Sequence, residues 1–140
     1  MTKAAKLYQL SDQVGFNLRR ANQRHVSIFA RHVEDLTPTQ FAALARLYEK
    51  DAISQNLLGR LTAMDSATIK GVVERLSAKG LVSSSTDAND RRLRRVELTE
   101  AGRKSFETAL KHAMAAREET LEPLTDDEAA LLEELLAKLV

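Results

Sequence analysis

Residues 87–102 read Asp87-Ala-Asn-Asp-Arg-Arg-Leu-Arg-Arg-Val-Glu-Leu-Thr-Glu-Ala-Gly102, with four arginines within five positions at 91, 92, 94 and 95. Turn-forming residues precede the arginines and a short β-type run follows them, which is typical of a hairpin. Like charges this dense repel one another unless a polyanion neutralises them, and duplex DNA is the commonest such partner. A solvated charged loop is the alternative interpretation. The residues just before this stretch favour the DNA interpretation.

The segment before the arginines predicts two short helices joined by a tight turn. Ser54 can cap the first helix, which carries leucines at 57, 58 and 61 on one face, and Asp65 or Ser66 can cap the second. Apolar residues at 69, 72, 73 and 76 have the spacing of one buried helix face, and Gly80 stands where a left-handed C-cap is expected. Two short helices joined by three or four residues form a helix-turn-helix.

A β-hairpin is expected next, with one strand over residues 81–85, a turn over 86–90 and a returning strand over 93–98, before Thr99 caps another helix. A helix-turn-helix followed by an arginine-rich hairpin is a winged helix-turn-helix. Its second helix would enter the major groove of DNA and a wing arginine the minor groove. The residues predicted to bind DNA are Gln55, Asn56, Arg60, Ser66, Thr68, Lys70, Gly71, Arg75, Arg91, Arg92 and Arg94.

Three segments resemble the MarR family of bacterial transcription regulators. Residues 90–102 are similar to the family's wing signature, residues 36–44 (Leu-Thr-Pro-Thr-Gln-Phe-Ala-Ala-Leu) to the start of its second helix, and residues 58–76 with 79–82 to its helix-turn-helix. The resemblance covers essentially the whole chain, in order. It implies an obligate homodimer, built by interleaved N- and C-terminal helices, that binds palindromic operators. It also implies that Asp90 pairs with an arginine to structure the wing, while Arg91 or Arg92 reaches DNA.

The expected fold is therefore mainly α with a small β-hairpin wing, in one domain over residues 1–140. Within it, residues 7–35 and 104–140 would form dimerisation helices and residues 37–103 the winged helix-turn-helix, with its wing at about 81–99. A capping box at Thr125 opens a last, leucine-rich helix. The leucines of this helix extend beyond the one face that the rest of the chain can bury. We expect a partner subunit to cover the remaining apolar surface, at Leu132, Leu135, Leu136 and Leu139.

Composition agrees with a DNA-binding protein. The net charge is only +1, but it is unevenly distributed along the chain. Residues 54–104 carry 10 basic and 6 acidic groups, whereas residues 105–140 carry 3 basic and 9 acidic groups. Positive charge is therefore concentrated over the predicted helix-turn-helix and wing. The chain has no cysteine, which excludes disulfides and thiol-based sensing. It has no long apolar run and no signal-peptide pattern, so we expect no membrane partner and a cytoplasmic, nucleoid-associated protein.

The first long helix, expected over residues 10–33, carries a candidate effector site made of Phe16, Arg19, Arg20, His25 and Phe29. Arginine and histidine beside aromatic rings suit an aromatic carboxylate, with a guanidinium fork for the acid and an apolar slot for the ring. An ion-pair network between subunits, or contacts to DNA phosphates, is the alternative. Together with residues 54–56 and 63–72, this helix resembles regulators of nicotinate catabolism within the family, whose effector is a hydroxylated pyridine carboxylate.

Other functions have weaker support. No nucleophile triad, phosphate-binding glycine loop or zinc-protease motif is present, so we expect neither an enzyme nor a cofactor. His32 with Glu34, Asp35 and His112 could bind zinc, although solvated helix-end histidines explain them as well. The sequence thus predicts a homodimeric repressor that a small aromatic acid releases from its operator. A zinc-responsive regulator of the same fold, and an architectural or partner-binding winged helix without a ligand, stay open.

Overall fold

The computed structural model of the protein describes every residue, Met1–Val140. Its elements, in chain order, are α1 (Lys3–Leu7), a 3-10 turn (Leu10–Asp12), α2 (Val14–His32), α3 (Pro38–Lys50), β1 (Ile53–Ser54), α4 (Gln55–Leu61), α5 (Ser66–Ala78), β2 (Val82–Thr86), β3 (Arg94–Leu98), α6 (Glu100–Leu121) and α7 (Asp126–Lys138). The predicted fold class, mainly α with a small β-hairpin wing, is confirmed.

The chain divides into two compact units. The winged unit comprises Val33–Met114 and contains α3–α5, the sheet and the first part of α6. The terminal unit joins Met1–His32 to Ala115–Val140 and contains α1, α2, the end of α6 and α7.

Side-chain caps set the helix boundaries where the sequence predicted them. The Ser54 hydroxyl accepts the Leu57 N–H at 3.1 Å and opens α4, and Asp65 rather than Ser66 caps α5. Thr125 and Glu128 form the predicted capping box of α7. Gly80 follows α5 with a φ of 75°, a left-handed conformation that costs glycine nothing because it has no Cβ. Each cap satisfies backbone groups that a helix end leaves without partners.

The N-terminal helix begins later than the sequence predicted. It was expected from Leu10, but Leu10–Asp12 form a 3-10 turn that closes with the Gln13 N–H donating to the Leu10 carbonyl at 3.0 Å. Gln13 is extended, with φ −89° and ψ 131°, so α2 can start only at Val14. The short helix α1 was not predicted either, because five residues are too few to show a helical period.

The sheet contains the predicted hairpin and one additional strand. In the hairpin, β2 pairs antiparallel with β3, in a register from Val82 opposite Leu98 to Thr86 opposite Arg94. Strand β1 then pairs with the other edge of β3 through Ile53 and Ser54, which gives the order β1-β3-β2. The sequence did not predict β1, because two residues are too few to show the alternation of apolar and polar side chains that indicates a strand. The pairing anchors the base of the wing to the segment that opens α4.

The winged unit has an aliphatic core. The predicted inner face of α5 is buried, and the helix packs with α3, α4 and β2. The largest fully buried side chains are Leu44, Leu47, Leu58, Ile69, Val72, Leu76 and Val96. Because the core takes one face of α5, the opposite face is left to solvent, and that face carries the candidate recognition residues.

Candidate nucleic-acid interface and ligand site

Helices α4 and α5 are joined by residues 62–65, which gives the tight turn expected of a helix-turn-helix. The Asp65 carboxylate accepts the backbone N–H of Thr68 at 2.7 Å, and this hydrogen bond holds the pKa of Asp65 below its ordinary value. The first turn of α5 is thus fixed by its own cap, and the end of the helix that a recognition helix presents to DNA is rigid.

The exposed faces of the two helices carry the residues predicted to contact DNA. On α5, Ser66, Thr68, Lys70 and Arg75 are exposed and Gly71 is half-buried. On α4, Asn56 and Arg60 are exposed, and Gln55 is half-buried at the first position of the helix.

A groove of about 520 Å³ separates α5 from the wing. Gln55 and Lys70 line one part of it, and Ser84 and Arg94 on the hairpin line another. The groove also contains the carboxylate of Glu74, which lies one turn after Lys70. The structure therefore brings α4, α5 and the wing to a common surface, although their predicted residues are up to 39 positions apart in the chain.

The tip of the wing is organised by two aspartates. Asp90 receives the Arg92 guanidinium in a fork, with Nε at 3.1 Å and Nη2 at 3.0 Å, and also accepts the Arg92 backbone N–H at 3.0 Å. These bonds lower the pKa of Asp90. Asp87 accepts the backbone N–H groups of Asn89 and Asp90, which lower its pKa in turn. The tip is therefore a hydrogen-bonded turn in which Arg92 remains 90% exposed.

The remaining wing arginines differ in their partners. Arg94 donates to the Ser84 hydroxyl and carbonyl across the hairpin, with distances of 3.0–3.3 Å. Arg95 reaches Asp87 and the carbonyl of Ala52, where it ties the wing to the segment before β1. Arg91 is exposed and makes no hydrogen bond or ion pair within the chain. Arg91 and Arg92 are thus presented at the tip, whereas Arg94 and Arg95 brace the hairpin.

In the terminal unit, both arginines of the candidate effector site lie within cation–π distance of Phe16. The guanidinium carbons of Arg19 and Arg20 lie 5.7 and 5.5 Å from the Phe16 ring centre, which is a cation–π arrangement. Both arginines are exposed, and neither forms a hydrogen bond or an ion pair within the chain. Two cations beside a half-buried aromatic ring form a surface that an aromatic anion fits.

The other two predicted effector residues lie further along α2. His25 is half-buried, and its Nδ1 lies 2.8 Å from the Thr120 hydroxyl at the end of α6. Its ring centre is 6.2 Å from that of Phe29. Phe29 is only 4% exposed and belongs to the core, so it lies beside the His25 ring but offers little surface of its own to a ligand.

Sequence reasoning missed the residues that join α2 to the end of α6. Arg24 donates to the carbonyls of Thr120 and Glu119 at 2.8 and 3.1 Å, and so caps the C-terminus of α6. Glu119 also receives the side chains of Arg31 and His32, and both hydrogen bonds lower the pKa of Glu119, with the bond from Arg31 contributing more. These partners are about 90 positions apart, and no local pattern in the sequence could have linked them.

The zinc-responsive hypothesis gains no support from the side chains. His32, its central residue, pairs with Glu119 through Nε2 at 3.2 Å. Nowhere in the chain do three or more histidine or acidic side chains come together in a way that could hold a metal ion.

The helices of the terminal unit expose large apolar side chains. Leu132, Leu135, Leu136 and Leu139 on α7, all predicted to lie in a dimer interface, are 37–66% exposed in the single chain. Leu7, Tyr8 and Leu10 near the N-terminus are exposed to a similar degree. An apolar surface of this kind is typical of a protein–protein interface.

Comparison with known proteins identifies the chain. The model of the MarR family matches residues 36–93, which include the helix-turn-helix and most of the wing. The repressor NicR of Pseudomonas putida is 40% identical over 135 residues, which cover 95% of this chain and 85% of NicR. The chain belongs to the MarR family. It is a DNA-binding transcriptional regulator and not an enzyme.

Two solved structures of this MarR-family fold are similar along nearly the whole chain. A probable transcriptional regulator from Pseudomonas aeruginosa is 50% identical, with a TM-score of 0.90, over 94% of this chain and all of that one. BpsR from Bordetella bronchiseptica, whose DNA binding is regulated by 6-hydroxynicotinic acid, is 40% identical, with a TM-score of 0.89, over 94% of this chain and 96% of BpsR. None of the helices in the present chain has the length and apolar character that crossing a membrane requires.

Proposed function

We propose that this MarR-family regulator is a homodimeric repressor that binds a palindromic operator and is released by a small aromatic carboxylate. The effector class is a hydroxylated pyridine carboxylate. In this proposal the dimerisation helices lie within residues 7–35 and 104–140, and residues 37–103 read DNA. The effector binds at Phe16, Arg19, Arg20, His25 and Phe29.

The exposed leucines of α7 support the dimer. Leu132 and Leu136 lie one helical turn apart on the same face, and each exposes more than a third of its surface to water in the single chain. Burying apolar area stabilises an assembly by about 25 cal/mol per Å². A second copy of the same helix covers this surface in a two-fold dimer, and two-fold symmetry matches a palindromic operator.

The distribution of partners among the wing arginines supports DNA binding through the tip. Arg92 is held by Asp90 in one orientation, with its guanidinium almost fully in solvent, and Arg91 has no partner in the chain. A pre-ordered guanidinium loses little conformational freedom when it enters a narrow minor groove or meets a phosphate. On α5, Thr68 and Lys70 then read base edges in the major groove.

The observation that carries the effector proposal is the pair of arginines beside Phe16 that have no hydrogen-bond or ion-pair partner in the chain. Arg24, Arg31 and His32 on the same helix all bond to the end of α6, so among the arginines of α2 only Arg19 and Arg20 lack a hydrogen-bond or ion-pair partner in the chain. An aromatic acid would place its carboxylate against these arginines and its ring against Phe16. The regulation of BpsR by 6-hydroxynicotinic acid supports a hydroxylated pyridine carboxylate as the effector.

The test measures operator release. Operators are first selected from random duplexes by the wild-type protein. Fluorescence anisotropy then measures the affinity of the protein for these operators, with and without 6-hydroxynicotinic acid, zinc or a chelator. We expect the acid to weaken operator binding by about 5- to 150-fold, which is a coupling of about 1–3 kcal/mol. Linkage then requires the operator to weaken binding of the acid by the same factor.

Variants locate the effector site. Arg19→Ala and Arg20→Ala should bind the operator but lose release by the acid, while Arg117→Ala is the matched control, because Arg117 is an exposed arginine of the same unit that pairs with Glu133. Release that persists in both variants places the effector elsewhere. Operator binding that responds to neither acid nor zinc would favour a winged helix that acts without a ligand.

A further inference from the structure

The hydroxyl of Thr120 contacts two groups in the terminal unit. Its oxygen lies 2.9 Å from the Ala116 carbonyl oxygen, one turn earlier on α6, and 2.8 Å from Nδ1 of His25. A carbonyl can only accept a hydrogen bond, and a threonine hydroxyl has a single hydrogen to donate. Both contacts can be hydrogen bonds only if Thr120 donates to Ala116 and Nδ1 of His25 carries a hydrogen that it donates to Thr120.

This arrangement determines what the other nitrogen of His25 can do. In a neutral imidazole with its hydrogen on Nδ1, Nε2 has a lone pair and acts as an acceptor. Nε2 of His25 makes no hydrogen bond within the chain, and no buried side-chain nitrogen or oxygen of the protein lacks a partner, so this nitrogen is open to solvent. The arrangement is also held in place, because Arg24 donates to the Thr120 carbonyl at 2.8 Å.

We propose that Thr120 is a positioning residue that presents Nε2 of His25 as a hydrogen-bond acceptor, so that the effector site selects aromatic carboxylates carrying a donor, such as a ring hydroxyl or a lactam N–H. The inference rests on the proposed function, because it places the acid beside His25. Its physical basis is that an acceptor left without a donor in a bound complex loses its hydrogen bonds to water. A site that hydrogen-bonds a ligand group therefore rejects the analogue that lacks it.

The first experiment reads the tautomer in the full-length protein without any ligand. Nitrogen-15 NMR of the histidine rings distinguishes a protonated from an unprotonated nitrogen, and substitution of His25 assigns its signals. We expect a protonated Nδ1 and an unprotonated Nε2 in the wild type and in Thr120→Ser, which keeps the hydroxyl. In Thr120→Val, which removes the hydroxyl at nearly constant volume, we expect this preference to be lost. Protonated Nε2 in the neutral wild type overturns the proposal.

The second experiment measures selectivity by calorimetry with 6-hydroxynicotinic acid and nicotinic acid, which differ in the donor group. We expect the wild type and Thr120→Ser to prefer the hydroxylated acid by about tenfold or more, and Thr120→Val by less than about threefold. Thr108→Val is the matched control, because Thr108 is an exposed threonine on the same helix, and it should retain the wild-type preference.

The outcomes separate this inference from the proposed function. If the wild type binds neither acid, the proposed effector class fails and the inference fails with it. If the wild type binds the hydroxylated acid and Thr120→Val retains the full preference, the effector class stands and the role of Thr120 is overturned. Circular dichroism and thermal melting check that the variants are folded, and Thr120→Ser supplies a second comparison if the valine variant is unstable.

Discussion

Replacing Gly71 with alanine should make the protein more stable and its DNA binding weaker. Glycine in the interior of a helix costs about 0.8–1.0 kcal/mol relative to alanine. A Cβ built at residue 71 would meet only the guanidinium end of Arg75, with Nη2 at 3.2 Å and Nη1 at 3.3 Å. That group is the tip of an exposed, flexible side chain and can move aside. Packing within the chain therefore gives no reason for a glycine at this position.

Gly71→Ala should change stability and operator affinity in opposite directions. Stability should rise by about 0.5–1 kcal/mol, which corresponds to an increase in melting temperature of about 2–4 °C. Operator affinity should fall at least about fivefold, because the added methyl group projects from α5 beside Lys70 and a disturbed base contact costs about 1–3 kcal/mol. Calorimetric melting and fluorescence anisotropy on the same preparations measure both quantities.

Gly59→Ala is the internal comparison. Gly59 is buried on α4, and its Cβ would lie 3.1 Å from Cγ2 of Ile69 and 3.2 Å from the Met64 carbonyl oxygen, so this change should lower the melting temperature. If Gly71→Ala binds the operator as tightly as the wild type, residue 71 does not lie against DNA. If it melts below the wild type, close helix packing explains the glycine and the reasoning is refuted.

Four further outcomes are expected. Arg92→Ala should weaken operator binding strongly without unfolding the protein, and it should flatten the dependence of log K on log salt concentration by nearly one unit. Arg95→Ala should have smaller effects. An affinity and a salt slope equal to those of the wild type in Arg92→Ala would remove the wing tip from the interface. Thr68→Ala should change the preferred base pair by about 1–3 kcal/mol, and an equal loss on random DNA would show contact with phosphate only. Leu132→Asp should give an aggregated or unfolded chain, and a folded monomer in sedimentation would contradict an obligate dimer. Glu119→Gln should reduce stability at neutral pH, because hydrogen bonds from Arg31 and His32 lower the pKa of Glu119 in the fold. The contribution of Glu119 is present above the carboxylate's unfolded pKa of about 4.3 and is lost as pH falls through the lower folded value. A pH-independent difference in melting would disprove this assignment.

Much of the winged unit could be predicted because its signals are local. Ser54 and Asp65 each cap the following helix by accepting a backbone N–H from three residues later. Gly80, two residues after the end of α5, has the left-handed conformation that terminates the helix. The turn between β2 and β3 is likewise closed by Asp87 and Asp90 through bonds to residues two or three positions away. Interactions over such short separations leave a fixed pattern of residue types, and the family resemblance rests on the same patterns.

The candidate effector site was only partly accessible to such reasoning. The sequence placed Arg19, Arg20 and His25 on one helix, but it could not tell which basic side chains lack a partner within the chain. That distinction depends on the last turn of α6. There Glu119 bonds to Arg31 and His32, and the Thr120 carbonyl accepts a hydrogen bond from Arg24. Arg19 and Arg20 have no such partner and remain in solvent. The sequence also gave no reason to single out Thr120.

The sequence by itself therefore determined the order and boundaries of most elements, the class of the fold and the family, because caps, turns and helical periods act over a few residues. The tertiary structure alone decided the pairing of β1 with β3, the contact of Arg95 in the wing with the Ala52 carbonyl, and the bonding of three basic side chains of α2 to the end of α6. These contacts join residues roughly 40 to 95 positions apart. Their energies depend on which groups the packed chain brings within hydrogen-bond distance, and no pattern along the sequence records that distance.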